Sequence, residues 1–339
     1  EIGANNTVAV PTGIDNEIDL QLLEQAARQT IESGRRIVCI VATMGTTDSL
    51  GIDDLQAIVD LRDRLVQEYQ LEYSPHVHAD AVIGWAWSVF NDYDFDTNPL
   101  SFRPRAVTAL AAVSRRITQL AAADSLGIDF HKTGFAPYIS SLLMVKSADD
   151  LKLLARDRAE MPYLFNTGHR HPGIYSLETS RSGSGVLSAY ASLQLLGKLG
   201  IRSLLGHMVD VAEQLRENLE GYSTTTVVNE QNHGTVTLFR VYPKGVDTWT
   251  VKQRERSEPG FREQLLRHNE YNRRIYEHIE KCALRGEGPL ISMTDCHRKT
   301  EYGEPIAAMK SYIMSPFVEY QHVDQLLRSV IAAQDAIDA

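Results

Sequence analysis

Between residues 36 and 146, short strand-like runs alternate with longer helical stretches, and this alternation leaves few architectures open. The run at 36–43, Arg-Ile-Val-Cys-Ile-Val-Ala-Thr, predicts a strand buried on both faces. Gly45-Thr46-Thr47-Asp48 breaks it. Leu55, Ile58, Val59, Leu61, Leu65 and Val66 then recur at mostly helical spacing, predicting a helix over 53–69 with Asp53 as its N-cap. Further strands are predicted over 76–82, 125–130 and 140–146, with an Ala-rich helix over 106–122. Strands and helices in that order argue for an α/β domain with a mostly parallel sheet.

The texture changes further along. A long helix is predicted after Gly183 and another over 201–219, followed by strands over 224–228 and 235–241 that suit antiparallel pairing. A charged amphipathic helix over 261–284, a strand over 307–315 and a closing helix over 322–337 complete the pattern. We therefore expect a large domain over 1–200 and a smaller C-terminal α+β domain over 201–339, with a mobile polar stretch around 243–259. A length of 339 residues suffices for two such cores.

Composition excludes some functions. A net charge of −10 argues against a general nucleic-acid binder, which would carry a basic patch. No uncharged apolar run approaches the roughly 18 residues of a membrane-spanning helix, so no membrane association is expected. Cys39, Cys282 and Cys296 are too few and too scattered for a disulfide framework or a structural zinc site, which fits a reducing, cytoplasmic setting. The chain opens on Glu1 rather than Met, and its first residues read like the middle of a domain. An N-terminal portion supplied from elsewhere is the expectation.

Three features fall at or just after strand ends, where open α/β sheets put their ligands. Residues 42–47 combine small side chains, which let the backbone approach a ligand, with hydroxyls that hydrogen-bond one. Asp80 is a carboxylate in an otherwise apolar strand, and such a group is costly to bury unless it is paired. A protonated ring nitrogen is one good partner, and pyridoxal phosphate (PLP) needs that partner to act as an electron sink. The third feature is the run 123–134, Ala-Asp-Ser-Leu-Gly-Ile-Asp-Phe-His-Lys-Thr-Gly. A His-Lys pair at a turn is ordinarily a solvated lysine, but a lysine held beside a cofactor aldehyde forms a Schiff base because its amine is readily tuned. His76 and His78 share a strand face without an evident third ligand, so no metal is expected. Cys39 is read as a packing residue, and His169 to His171 as a surface loop or the rim of a site.

Asp80, His131-Lys132 and Gly45-Thr46-Thr47, in this order and at these separations, resemble the fold-type-I PLP-dependent enzymes of the group II amino-acid decarboxylase family. That family includes aromatic amino-acid, tyrosine, glutamate and aspartate decarboxylases. The resemblance is good over 1–200 and looser at 309–317. Val82 stands where alanine is usual, Trp85 where a second glycine is common and Phe130 where proline is frequent. Thr179-Ser180-Arg181-Ser182-Gly183 resembles a segment of the tyrosine-decarboxylase and sphingosine-phosphate-lyase branches.

The resemblance implies that Lys132 carries PLP and shuttles a proton, and that Asp80 keeps the pyridinium protonated. It implies that Thr47 lies against the cofactor near its ring oxygen, that Val82 packs on a ring face, and that Ser125 and His131 contact its phosphate. Arg181 would bind a carboxylate or a phosphate. The family's main phosphate loop and its stacking histidine precede the equivalent of Glu1, so a companion chain or segment is expected to complete the site. A homodimer is implied as well. The expected reaction is decarboxylation of an L-amino acid. Alternatives are a PLP-dependent carbon–carbon or carbon–sulfur lyase, favoured by the Arg181 segment, and a non-catalytic homologue.

Overall fold

In this computed structural model, Asp19 accepts hydrogen bonds from the Gln21 and Leu22 amides and so opens helix α1 (Leu20–Glu32), which the sequence pattern had not signalled. The structure describes residues 3–177 and 180–339; Glu1, Ile2, Glu178 and Thr179 lie outside the described residues. Strand β1 (Cys39–Thr43) follows, then α2 (Leu55–Glu68), β2 (His76–Asp80), α3 (Pro104–Ile117), β3 (Ser125–Asp129), a single helical turn α4 (Phe130–Thr133) and β4 (Ser141–Val145). The sheet order is β1-β2-β3-β4. The first three strands are parallel and β4 runs antiparallel to β3, as a mostly parallel sheet requires.

Two local expectations are corrected here. β1 is buried on one face only: Ile40 and Ala42 enter the core, whereas Cys39 and Val41 are exposed. As an edge strand it is covered from the side where Leu55, Ile58, Val77, Ala79, Leu110 and Val113 gather, so Cys39 is not a packing residue. The N-cap of α2 is Asp54, which accepts from the Ala57 amide. Asp53 is buried instead, taking the amides of Ile18 (2.7 Å) and Thr43 (2.6 Å) and so fastening the end of β1.

Helix α5 (Ser184–Glu220) contains one non-helical residue, Gly197, at φ 58° and ψ −173°. Glycine tolerates this positive φ without a Cβ clash. The bend separates two stretches that match the two predicted helices. Val186, Leu187, Tyr190 and Leu195 before it are exposed, whereas Ile201, Leu205, Met208 and Val209 after it are buried.

The remaining elements are β5 (Thr225–Val227), β6 (Val236–Val241), α6 (Thr248–Ser257), α7 (Arg262–Leu284), β7 (Ser292–Lys299), β8 (Pro305–Tyr312) and α8 (Tyr320–Asp338). They form an antiparallel sheet of order β5-β6-β8-β7 with its helices. The stretch expected to be mobile is instead α6, anchored by Glu255, which is only 1% exposed. Its carboxylate accepts from Arg240 (3.1 Å), Tyr242 (2.8 Å) and His268 (2.7 Å) in the core. One continuous apolar cluster runs from Ile40 and Val77 of the first sheet through Leu205 and Val209 to Phe239 and Val330. Among the described residues, no helix is long and apolar enough to cross a membrane.

Candidate active site

Alternation along β2 sends Val77 and Ala79 into the core and leaves His76, His78 and Asp80 half-buried on the opposite face. The parallel register sets His78 beside Ser125 and Asp80 beside Gly127 on β3. The Ser125 hydroxyl lies 2.7 Å from both His76 Nε2 and His78 Nδ1. A hydroxyl has one proton, so one imidazole accepts from Ser125 while the other donates to it. Burial pushes the His78 imidazole below its usual range, against the opposing pull of Asp80. Asp80 closes the strand and accepts from the Val82 amide at 3.4 Å.

Beyond Asp80 the chain passes close to the loop that follows β1. A Cβ on Gly84 would stand 2.0 Å from the Met44 carbonyl oxygen, and one on Gly45 would stand 2.9 Å from the Gly84 amide nitrogen. Gly45 also takes φ 116°, a conformation that disfavours any side chain. Two glycines therefore bring the ends of β1 and β2 together at the strand edge. Val82 is half-buried against the core. Thr46, not Thr47, organises the loop after β1: its hydroxyl accepts from the Ser49 (3.2 Å) and Gly51 (3.0 Å) amides, whereas Thr47 is exposed.

The turn that bears Lys132 is clamped on both sides. Thr133 donates to the Ile83 carbonyl (2.9 Å), and the Trp85 indole donates to the Asp129 carbonyl (3.1 Å) while meeting the Phe130 ring edge-on at 5.0 Å. Trp85 and Phe130, two of the three departures from the resembled pattern, thus pack on each other. Lys132 Nζ is 2.9 Å from Asp129 Oδ2, and its side chain is 21% exposed. The other carboxylate oxygen accepts from the Ser141 hydroxyl at 2.6 Å. Burial raises the Asp129 carboxyl, but Ser141 and Lys132 together outweigh it and hold the group below the usual carboxylate range. His131 Nδ1 is 2.9 Å from the Ser140 carbonyl oxygen, and its ring lies 4.1 Å from that of Tyr138.

The strand ends thus gather Lys132, His131 and Asp129 at the end of β3, with Asp80 closing the adjacent β2. Ser125 lies nearer the start of β3, between the two imidazoles. Arg181 is exposed on the approach to α5, and the Ser140 hydroxyl donates to the Gly185 carbonyl (2.7 Å), tying that helix start to the loop after Lys132. Thr179 lies outside the described residues. His169 is on the surface against Phe165, and His171 caps a short turn through the Gly173 amide. Among the described residues, no three His, Cys, Asp or Glu side chains are arranged to hold a metal. Sequence reasoning missed Asp129, Ser141 and Tyr138. Asp129 was discoverable, since it lies three residues before Lys132 and shares the alternation of Ser125.

The chain thus joins an open, mostly parallel sheet, with Lys132 and Asp80 at its strand ends, to an antiparallel sheet, and solved PLP-dependent decarboxylases share this fold. Catharanthus roseus tryptophan decarboxylase in complex with L-tryptophan superposes with a TM-score of 0.68 at 17% identity, covering 99% of this chain and 57% of that one. The glutamate decarboxylase domain of a Vibrio parahaemolyticus transaminase–decarboxylase gives 0.67 at 17% identity, over 99% and 54%. The chain belongs to the pyridoxal-dependent decarboxylase family, whose conserved domain matches residues 6–241. An L-tyrosine decarboxylase of Enterococcus faecium is 27% identical over 65% of this chain and 38% of its own length. An L-2,4-diaminobutyrate decarboxylase of Acinetobacter baumannii is 23% identical, over 72% and 42%. The chain thus spans about half the length of such relatives, or less.

Proposed function

We propose that this chain supplies the lysine-bearing part of a PLP-dependent L-amino-acid decarboxylase. The observation that carries the reading is the amine of Lys132, held beside Asp129 on the turn that follows β3, with Asp80 closing the neighbouring strand. The residues present suit the cofactor. Asp80 has acceptor capacity beyond its one long backbone contact, and two glycines keep the close approach of the segments after β1 and β2 free of side chains. PLP, when bound, supplies an aldehyde for the lysine amine and an electron sink for the bond that breaks.

In this reading Asp80 holds a proton on the ring nitrogen, and Lys132 delivers one to the substrate carbon after carbon dioxide leaves. Asp129 and Ser141 orient the Lys132 amine. His131 and Ser125 face the cofactor's phosphate side, Thr47 lies near the ring oxygen, Val82 meets a ring face, and Arg181 takes an anionic group of substrate or cofactor. Relatives named for tyrosine, diaminobutyrate and aspartate support an amino-acid substrate without selecting one.

A further segment, supplied by a companion chain or by more of the same one, completes the site in this proposal, and the assembly is a homodimer acting in the cytoplasm. The modest length beside the relatives and the exposed Val186, Leu187 and Tyr190 support that part. A domain division near residue 200 is supported by the bend at Gly197 and the two separate sheets. The test is carbon dioxide release from a panel of amino acids by the purified holoenzyme. Release with at least one of them, abolished in Lys132→Ala, is expected; release that survives the substitution, or none from any amino acid, overturns the proposal.

A further inference from the structure

A cleft of about 820 Å³ opens on the second sheet, bordered by β5, α6 and β7, and it shares no lining residue with the Lys132 site. The protein carries a net charge of −10, yet this cleft gathers four cations, Arg240, Lys252, Arg256 and Arg298, against three carboxylates, Glu220, Glu230 and Glu255, of which Glu220 pairs with Arg105. Two of these cations are neutralised within the protein. Arg240 pairs with Glu255 at 3.1 Å, and Lys252 pairs with Glu230.

The other two are compensated less closely. The nearest carboxylate to Arg256 is Glu301, 3.7 Å away and itself largely exposed. Arg256 donates a hydrogen bond to Gln253, and its Nε is buried without one. Arg298 makes no ion pair among the described residues, and donates instead to the Ile14 carbonyl and Asn16 Oδ1. Burial pushes the Arg298 guanidinium below its usual range and Arg256 pushes it further, with only Asp15 opposing. His297 Nδ1, beside them, is likewise buried and unbonded.

Strand geometry explains how neighbours in sequence come to border one cleft. Thr294 pairs with Ala308 and Arg298 with Ile306, so four steps along β7 oppose two along β8. The irregularity breaks the alternation that would send His297 and Arg298 to opposite faces.

We propose that this cleft binds a small molecule bearing a phosphate or carboxylate group, seated between Arg256 and Arg298 with His297 donating to it. An oxyanion there removes the repulsion between two guanidinium groups and satisfies the donors that the protein leaves unmet. Planar guanidinium forks suit that geometry better than lysine would. The inference does not rest on the assignment of Lys132.

Trp249 borders the cleft and is 90% exposed, whereas Trp85 and Trp87 are buried, so its emission reports the site locally. The experiment titrates inorganic phosphate, and separately citrate, into the purified protein at constant ionic strength. A saturable change in Trp249 emission is expected with at least one of them. Phosphate alone or citrate alone identifies the group recognised. The response should vanish in Trp249→Phe and persist in Lys132→Ala. It should weaken at least tenfold in the Arg256→Gln/Arg298→Gln double variant, and less in Arg256→Lys/Arg298→Lys, which keeps the charge. The lysine pair also serves as the comparison if the glutamine pair does not fold. No saturable response to either anion, or an unchanged midpoint in a folded double variant, overturns the proposal.

Discussion

At the scale of single residues, Asp129 is the side chain on which the geometry around Lys132 turns, because it touches both the amine and Ser141. Asp129→Asn keeps the shape and removes the charge. The ion pair is partly solvated, so stability should fall by about 1 kcal/mol or less. Loss of orientation at the amine should lower kcat roughly 10- to 100-fold. Steady-state kinetics beside a thermal melt checks both numbers; unchanged kcat would remove Asp129 from the proposed machinery.

His297 makes a second prediction at this scale. Burial, then Arg240 and Arg298, hold its imidazole down at about 3, against an ordinary value of 6.5. The unfolded chain takes up a proton near pH 6.5 that the folded chain refuses until about pH 3. His297 therefore contributes stability above pH 6.5 that is lost as pH falls through that window. His297→Gln should flatten the decline of Tm between pH 7 and pH 4 relative to the parent protein. Identical slopes in the two proteins would contradict the assignment.

At the scale of elements, the legible parts were those whose face is set by one periodicity. Leu55, Ile58, Val59, Leu61 and Leu65 announced α2 and are all buried. Of the three parallel strands only β1 is a β-branched run, and β2 and β3 showed themselves as short stretches between breakers. What stayed hidden was fixed by distant partners. Thr248 to Ser257 reads as polar because its anchor, Glu255, finds Arg240, Tyr242 and His268 only after folding. β7 was missed because Ser-Met-Thr-Asp-Cys-His-Arg-Lys is an edge strand with an irregular register and no apolar alternation. Asp80 and Lys132 were legible as chemistry in the wrong surroundings, whereas Ser141 needed the antiparallel return of β4 to reach Asp129.

Two substitutions test these elements. Glu255→Ala leaves Arg240 buried and uncompensated, which should cost about 3–5 kcal/mol in a denaturant melt. A loss below about 1 kcal/mol would mean that α6 is held by something else. Gly84→Ala drives a Cβ into the Met44 carbonyl, and backbone cannot yield as a side-chain tip does. We expect a loss of at least about 1–3 kcal/mol together with weakened cofactor retention, since the close approach of the segments after β1 and β2 shapes the strand edge.

At the scale of the whole molecule, exposed apolar side chains occur along much of the chain, and one group of them lies on the first half of α5 and around β4. Val186, Leu187, Tyr190 and Leu195 before the Gly197 bend are uncovered, as are Tyr138, Ile139 and Leu143 around β4. Past the bend the same helix buries Ile201, Leu205, Met208 and Val209, and in the proposed assembly the uncovered first half is the surface that a further segment or copy covers. Val186→Lys with Leu187→Lys should reduce the assembly mass measured by light scattering while leaving the melting of the second sheet unaltered. An unchanged mass would contradict a covered face there.

The account rests on the amine at position 132 meeting the aldehyde of PLP, and borohydride reduction followed by peptide mass mapping tests it most directly. Reduction of the holoenzyme should fix a phosphopyridoxyl group on the peptide that contains Lys132, and on no other lysine. A reduced cofactor attached elsewhere, or released entirely from a protein that had shown PLP absorbance, would contradict the account.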